Sequence, residues 1–370
     1  MKLPMRAIAV AGGVVGVATA GLTVAGVIQA RRRHARAELA PAERAEQYGA
    51  LEPTRTRTVA ADDGVPVSVE EVDPNDGGRS ELTVILVHGF ALGRRSWHFQ
   101  RRDLADLVEP RVRQVLYDQR GHGKSGKPSE ESCTIDQLGR DLDVIIRSVA
   151  PTGPLVLVGH SMGGMTIMAL AEQRPELFAD RVRGVALIGT SAGEVGRQGL
   201  PLPVLSRYNR ITRTVGDFAA WQPGIVEWVR SAGGGLTRQG VRRLAFGDRS
   251  VSSRLVDFMV EMLNVTEVPI LTAFLPTLGT HDRIAALAGL RHCEVLVLSG
   301  DDDKLTPFEH AERIATELPA ATLVRAPGAG HMVMLEQPDL VTGELITLIR
   351  ACAAGAGVTH RILRRRWRNR

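Results

Sequence analysis

The sequence predicts an α/β fold: one domain on a mostly parallel central sheet, with helices on both faces and a mainly helical insertion. Three observations predict it. From about residue 54 onward, short β-branched runs alternate with helical patterns. Several of the later runs are nearly continuous in apolar residues, as expected of strands covered on both faces. The alternation then breaks between about Ala192 and Leu287, where large apolar residues such as Phe218, Trp228, Phe258 and Phe274 are scattered without a strand pattern.

The strands expected in chain order are Val67–Val72, Leu82–Val87, Val112–Tyr117, Leu155–Val158, Val182–Ile188, Glu294–Leu298 and Thr322–Val324. Helices are expected between them. One spans Ile135–Val149, where Thr134 and Gln137 have the spacing of a capping box. Another follows Ser161, a third starts near Pro307, and a fourth runs from about Pro338 to Ala353. No internal repeat is visible.

The net charge of +5 over 370 residues is unevenly placed. Residues 1–36 and 361–370 each carry six basic side chains and no acid, which leaves the body between them acidic. A nucleic-acid-binding body would need a basic face of its own, so that class is excluded. Cys133, Cys293 and Cys352 have no metal-ligand spacing and form no even-numbered disulfide framework. Ala7–Ala30 is an uncharged run, long enough to span a bilayer and flanked by Lys2 and Arg6 before it and Arg31, Arg32, Arg33 and Arg36 after it. It is expected to be a single-pass membrane anchor, with a cleaved secretory signal as the alternative. The greater number of arginines after the run favours the cytoplasmic face for the body. The basic tail could touch the same anionic surface. The expected organisation is therefore an anchor or signal-like segment at 1–36 and a linker at 37–53. An α/β core follows at 54–193 and 276–355, with an insertion at 194–275 and a basic tail at 356–370.

Candidate chemistry starts at Gly159-His160-Ser161-Met162-Gly163-Gly164, between an expected strand and an expected helix. A serine hydroxyl is a poor nucleophile and must be presented to a base. A sharp strand-to-helix turn presents it, and small residues two before and two after let the chain bend that tightly. The base and its orienting acid are available later. Asp301-Asp302-Asp303 follows the strand at 294–298, and Gly328-Ala329-Gly330-His331 follows the strand at 322–324, both where strand ends meet loops. His331 would take the serine proton, and a carboxylate would hold the imidazole tautomer. Upstream, Val87-His88-Gly89-Phe90 runs from a strand into a turn, and the backbone N–H groups of Phe90 and Met162 would form a two-donor oxyanion hole. His88 and His160 are read as structural. Asp118-Gln119-Arg120-Gly121-His122-Gly123-Lys124-Ser125 is read as scaffold, since its spacing fits no phosphate-binding loop.

Together these segments resemble the α/β-hydrolase superfamily, in the branch of lipases, esterases, C–C bond hydrolases and cofactor-free haloperoxidases. The resemblance covers roughly residues 55–353. It is carried by His88-Gly89-Phe90, Asp118-x-Arg120-Gly121-His122-Gly123-x-Ser125, the Ser161 turn, and the late aspartate and histidine, in the family's Ser, Asp, His order. It implies an α/β-hydrolase fold in which the insertion at 194–275 is a helical cap. It implies Ser161 as nucleophile, His331 as base and Asp303 as the acid, with Asp301 as second choice and a calcium site on these aspartates as an alternative. It implies hydrolysis of a small-molecule carboxylic ester through an acyl-enzyme, with no cofactor and no metal; the apolar insertion and the membrane segment favour an apolar acyl group. Perhydrolysis or C–C cleavage by the same residues is the alternative within the fold. A non-catalytic, membrane-attached binding protein is the alternative from another class.

Overall fold

The computed structural model describes residues 46–193 and 238–355. Two compact units make up the chain, Met1–Gln47 and Tyr48–Arg370. Of the first, only Glu46 and Gln47 are among the described residues. The expected anchor at Ala7–Ala30, the first half of the insertion and the basic tail lie outside them.

Eight strands form one sheet: β1 (Arg55–Ala60), β2 (Pro66–Val72), β3 (Leu82–Val87), β4 (Val112–Tyr117), β5 (Leu155–His160), β6 (Val182–Ile188), β7 (Glu294–Gly300) and β8 (Thr322–Ala326). Their order is β1-β2-β4-β3-β5-β6-β7-β8. β2 runs antiparallel to both β1 and β4, and every other pair is parallel. This is the mostly parallel sheet that the alternating pattern predicts. The order reverses beside β3, because the chain passes from β3 to β4 on one side and then to β5 on the other. In open parallel sheets, ligand crevices form at such a reversal, beyond the carboxyl ends of the strands. The loops that follow β3 and β5 carry Phe90 and Ser161.

Ten helices accompany the sheet among the described residues: α1 (His98–Ala105), α2 (Ile135–Val149), α3 (Met162–Gln173), α4 (Pro175–Asp180), α5 (Arg238–Ala245), α6 (Ser253–Leu263), α7 (Val268–Gly279), α8 (Phe308–Glu317), α9 (Val333–Glu336) and α10 (Pro338–Ala353). Because side chains alternate along a strand, each central strand feeds two cores. Val84 and Leu86 pack with Leu104 of α1 and Leu345 of α10. Ile85 and Val87 pack with Ile145 of α2 and Ile167 of α3. All six residues of β3 and of β5 are buried, which explains their continuous apolar sequence. The helices α5, α6 and α7 stand between β6 and β7, and Phe258, Met259 and Phe274 join the first core. No single helix among the described residues is long and apolar enough to cross a membrane, although α6 and α7, bent by 91°, pass that test as a pair. The three cysteines are free and buried.

Three local expectations need correction. β1 falls where no strand was expected: only Val59 of its six residues is buried, so an exposed edge strand leaves no apolar alternation to read. The capping box at α2 forms by half. The Thr134 hydroxyl accepts from the Gln137 N–H at 3.1 Å. The Gln137 amide, however, donates to Asp62 and Asp141 instead of turning back to the cap. α1 lies between two expected strands, but the sequence assigns it no bounds, because its buried face includes His98, Gln100 and Arg101.

Arg120 shows how the loop after β4 is fixed. Its guanidinium is fully buried and forks onto Asp141, 1 % exposed, with both contacts at 2.6 Å, and also reaches Asp63. Removing one partner of such a pair strands the other charge in the interior. Arg120→Met should therefore lower the urea unfolding free energy by about 3–5 kcal/mol. A variant as stable as wild type would show that Asp141 finds another partner.

Candidate active site

Ser161 occupies the turn between β5 and α3 with φ 51° and ψ −120°. A non-glycine residue there is strained, by about 1–3 kcal/mol, and persists only where its surroundings hold it. Here they do. The Ser161 N–H donates to the Ile188 carbonyl at 3.0 Å, and the Thr190 hydroxyl donates to the Ser161 carbonyl at 2.7 Å. Gly163 explains the glycine two residues on: a Cβ there would lie 2.2 Å from the Val87 carbonyl oxygen. Ser161 is half-buried, and Met162 is the first residue of α3, where an N–H has no acceptor within the helix.

The acid and the histidine come from the ends of β7 and β8. Asp303 Oδ2 lies 2.9 Å from His331 Nδ1, and both side chains are buried. Asp303 Oδ1 accepts the N–H groups of Leu305 and Thr306 at 2.8 and 2.9 Å. The Thr306 hydroxyl donates to Oδ2 at 2.9 Å and stands 3.4 Å from the same ring nitrogen. With Nδ1–H donating to the carboxylate, Nε2 is left as the basic nitrogen. Asp301 instead accepts the Gly328 N–H at 2.6 Å and has no contact with the imidazole. Among the described residues, no three His, Cys, Asp or Glu side chains are grouped to hold a metal ion.

His160, next to Ser161 in the chain, packs against His331. The His160 ring lies 4.7 Å from the His331 ring, centroid to centroid, and its Nε2–H donates to the His331 carbonyl at 2.9 Å. Gly189, at the end of β6, completes the junction. A Cβ there would lie 3.4 Å from Asp303 Oδ2 and 3.6 Å from the His160 ring. Asp303 and His331 are thus in contact, and Ser161 stands at the carboxyl end of β5, beside the residue that packs on His331. No hydrogen bond joins the Ser161 hydroxyl to the His331 imidazole among the described residues.

The turn after β3 carries Phe90. Ala91, next in sequence, has φ 59° and donates its N–H to His122 Nε2 at 3.1 Å, while His122 Nδ1–H donates to the Arg120 carbonyl at 2.9 Å. His88 repeats the device. It accepts the Gln119 N–H through Nε2 and donates from Nδ1 to the Gly89 carbonyl, each at 2.8 Å. Burial pushes His88 down to about 4 and His122 down to about 3, so both are neutral braces near pH 7. The His122 ring also meets Phe90 at 6.3 Å and Phe274 of α7 at 5.7 Å. Sequence reasoning gave the His122 loop a scaffold role and missed its hold on the Phe90 turn. It also missed Thr306. The signal for His122 was its place in the Asp118–Ser125 loop, and for Thr306 its place three residues after Asp303.

Comparison with known proteins adds the family. Residues 83–338 match the family model described as the alpha/beta hydrolase fold. A non-heme chloroperoxidase from Streptomyces lividans is 26% identical over 305 residues, covering 80% of this chain and 99% of that protein. A pimeloyl-[acyl-carrier protein] methyl ester esterase from Aromatoleum aromaticum is 28% identical over 263 residues, covering 69% of this chain and 93% of its own length. Among solved structures, a thermophilic esterase from Thermogutta terrifontis superposes with a TM-score of 0.62 at 25% identity, covering 81% of this chain and 100% of that one.

The buried histidines make stability depend on pH. Unfolded, a histidine takes up its proton near pH 6.5; folded, His88 and His122 do so only near 4 and 3. Between those values the unfolded chain binds more protons. The stability contributed by these two groups is therefore full above pH 6.5 and is lost as pH falls toward 3. The urea unfolding free energy should drop by on the order of 3 kcal/mol per histidine across that window. His122→Gln should remove one share, and an unfolding free energy unchanged from pH 7 to 4 would contradict the assignment.

Proposed function

The chain belongs to the α/β-hydrolase fold family and is a hydrolase, and from that premise we propose that it cleaves carboxylic esters through an acyl-enzyme on Ser161. The observation that carries this reading is the buried Asp303–His331 hydrogen bond of 2.9 Å, at the same sheet edge as the strained Ser161 turn. Ser161 Oγ attacks the ester carbonyl while His331 Nε2 takes its proton. Asp303 stabilises the resulting imidazolium and fixes its orientation. The N–H groups of Phe90 and Met162 receive the oxyanion, each donor contributing on the order of 3 kcal/mol to the barrier. His331 then gives its proton to the departing alcohol, and water, deprotonated by the same nitrogen, releases the acid. The named esterases among the relatives support this class. Buried Phe90, Ile270 and Phe274, near the turn that His122 braces, support an apolar acyl group.

A second reading, perhydrolysis, is favoured by the similarity to the chloroperoxidase. It uses the same acyl-enzyme, with hydrogen peroxide replacing water in the second step. Attachment to a membrane through Ala7–Ala30, with the body on the cytoplasmic face, is supported by that segment's length and its basic flanks.

A fluorophosphonate probe should label the wild type and leave Ser161→Ala unlabelled. Equal labelling of both, or of neither, would remove Ser161 as nucleophile. Asp303→Asn should keep the fold and lose about 10⁴-fold in kcat toward p-nitrophenyl esters. Full-length protein should sediment with membranes and resist carbonate extraction, while residues 37–370 should not. Recovery of both in the soluble fraction would exclude the anchor.

A further inference from the structure

The loop that carries His331 lies backbone to backbone against the end of α5. A Cβ on Gly330 would fall 2.4 Å from the Gly247 nitrogen, and one on Gly247 would fall 2.5 Å from the Gly328 carbonyl oxygen. No side chain fits between the two segments. The Met332 N–H donates directly across to the Ala245 carbonyl at 3.0 Å. Three further N–H groups meet one carboxylate. Glu336, the last residue of α9, accepts from Gly330 through Oε1 at 2.7 Å, and from Gly247 and Asp248 through Oε2 at 2.9 and 3.1 Å. Gly330 immediately precedes His331, and Gly247 and Asp248 belong to the helical stretch between β6 and β7.

We infer that Glu336 is a positioning residue, whose carboxylate binds the His331 loop to residues 245–248 so that the base and the helical stretch move together. This rests on His331 being the base. Hydrogen bonds to an ionised acceptor are about twice as strong as neutral ones, and a carboxylate offers two accepting oxygens where an amide offers one. Burial and the nearby Asp248 carboxylate push Glu336 up, to about 7, against the downward pull of its three N–H donors. Protonation turns one oxygen into a donor facing an N–H group, so the clasp loosens as pH falls through that range.

The test uses the full-length protein, with Glu336→Gln assayed beside wild type and Ser161→Ala on p-nitrophenyl acetate. The expected result is a kcat about 10- to 100-fold lower, with KM changed far less. Amide hydrogen exchange should rise together at Gly330 and at Gly247–Asp248. In wild type the same amides should exchange faster as pH falls below 7, after correction for intrinsic rates, and Glu336→Gln should lose that dependence. Gly247→Ala keeps the carboxylate but forces the segments apart, and should reproduce the kcat loss if Glu336→Gln does not fold. Wild-type kcat in a folded Glu336→Gln, or exchange rising in one segment only, would overturn the inference. If wild type and Ser161→Ala prove equally inert toward esters, the ester reading fails by itself. The exchange measurements then decide the clasp alone: joint loosening supports it, and independent loosening defeats it.

Discussion

Gly163 lies against the end of β3 with no space for a Cβ, which would meet the Val87 carbonyl oxygen at 2.2 Å and the His88 carbonyl oxygen at 2.8 Å. That close approach of α3 to β3 governs the rest of the site. The first turn of α3 carries the Met162 N–H, and the loop leaving β3 carries Phe90. A side chain at 163 would drive these two backbone segments apart, and the Ser161 turn with them. The strain at Ser161 is thus held by the sheet itself, since β5 and β3 are adjacent parallel strands in fixed register. The strand order reverses at β3, the position where open parallel sheets form ligand crevices beyond the carboxyl ends of their strands.

Histidine is used here in two opposite ways. His88, His122, His160 and His281 are buried, and desolvation is the largest cause of their lowered affinity for a proton. Each has a backbone carbonyl as a partner, which suits a neutral ring. His331 instead has a carboxylate oxygen on Nδ1, and that carboxylate is held by two N–H groups and a hydroxyl. Four rings therefore pair with backbone carbonyls, and His331 alone of these five pairs with a carboxylate.

Much of the sheet and the segments of the candidate site could be read from the sequence, because both depend on local signals. β3, β4 and β6 begin and end where their apolar runs do, and α10 spans the expected Pro338–Ala353. The missed elements have buried polar residues or exposed edges. α1 buries Gln100, which donates to the Met334 carbonyl, and Arg101, which pairs with Glu70. Apolar periodicity carries no record of such contacts. The choice of Asp303 over Asp301 came from a family pattern; the structure gives the physical difference, since only Asp303 faces the imidazole. His122 and Glu336 were beyond reach for another reason. Their partners are backbone N–H groups 31 residues away for His122 and 6 to 89 residues away for Glu336, and backbone donors have no residue identity to recognise.

The similarity to both a chloroperoxidase and methyl ester esterases has a simple chemical origin. Hydrolysis and perhydrolysis share the attack by serine, the tetrahedral intermediate and the acyl-enzyme. They part only when water or hydrogen peroxide attacks the acyl carbon. In the proposed mechanism Asp303, His331 and the two oxyanion donors act identically in both, so they would not be the source of selectivity. The difference must come from side chains that decide what stands beside the acyl group at deacylation. The residues packed against the loop that braces the Phe90 turn are apolar. Phe90 and Phe274 flank the His122 brace, and Ile270 packs against Gly121 in the same loop. An apolar wall stabilises an acyl chain by about 0.8 kcal/mol per buried methylene, but offers no hydrogen bond to hold a peroxide in preference to water. On that ground the proposed ester hydrolysis fits the apolar neighbours of the His122 loop better than perhydrolysis would.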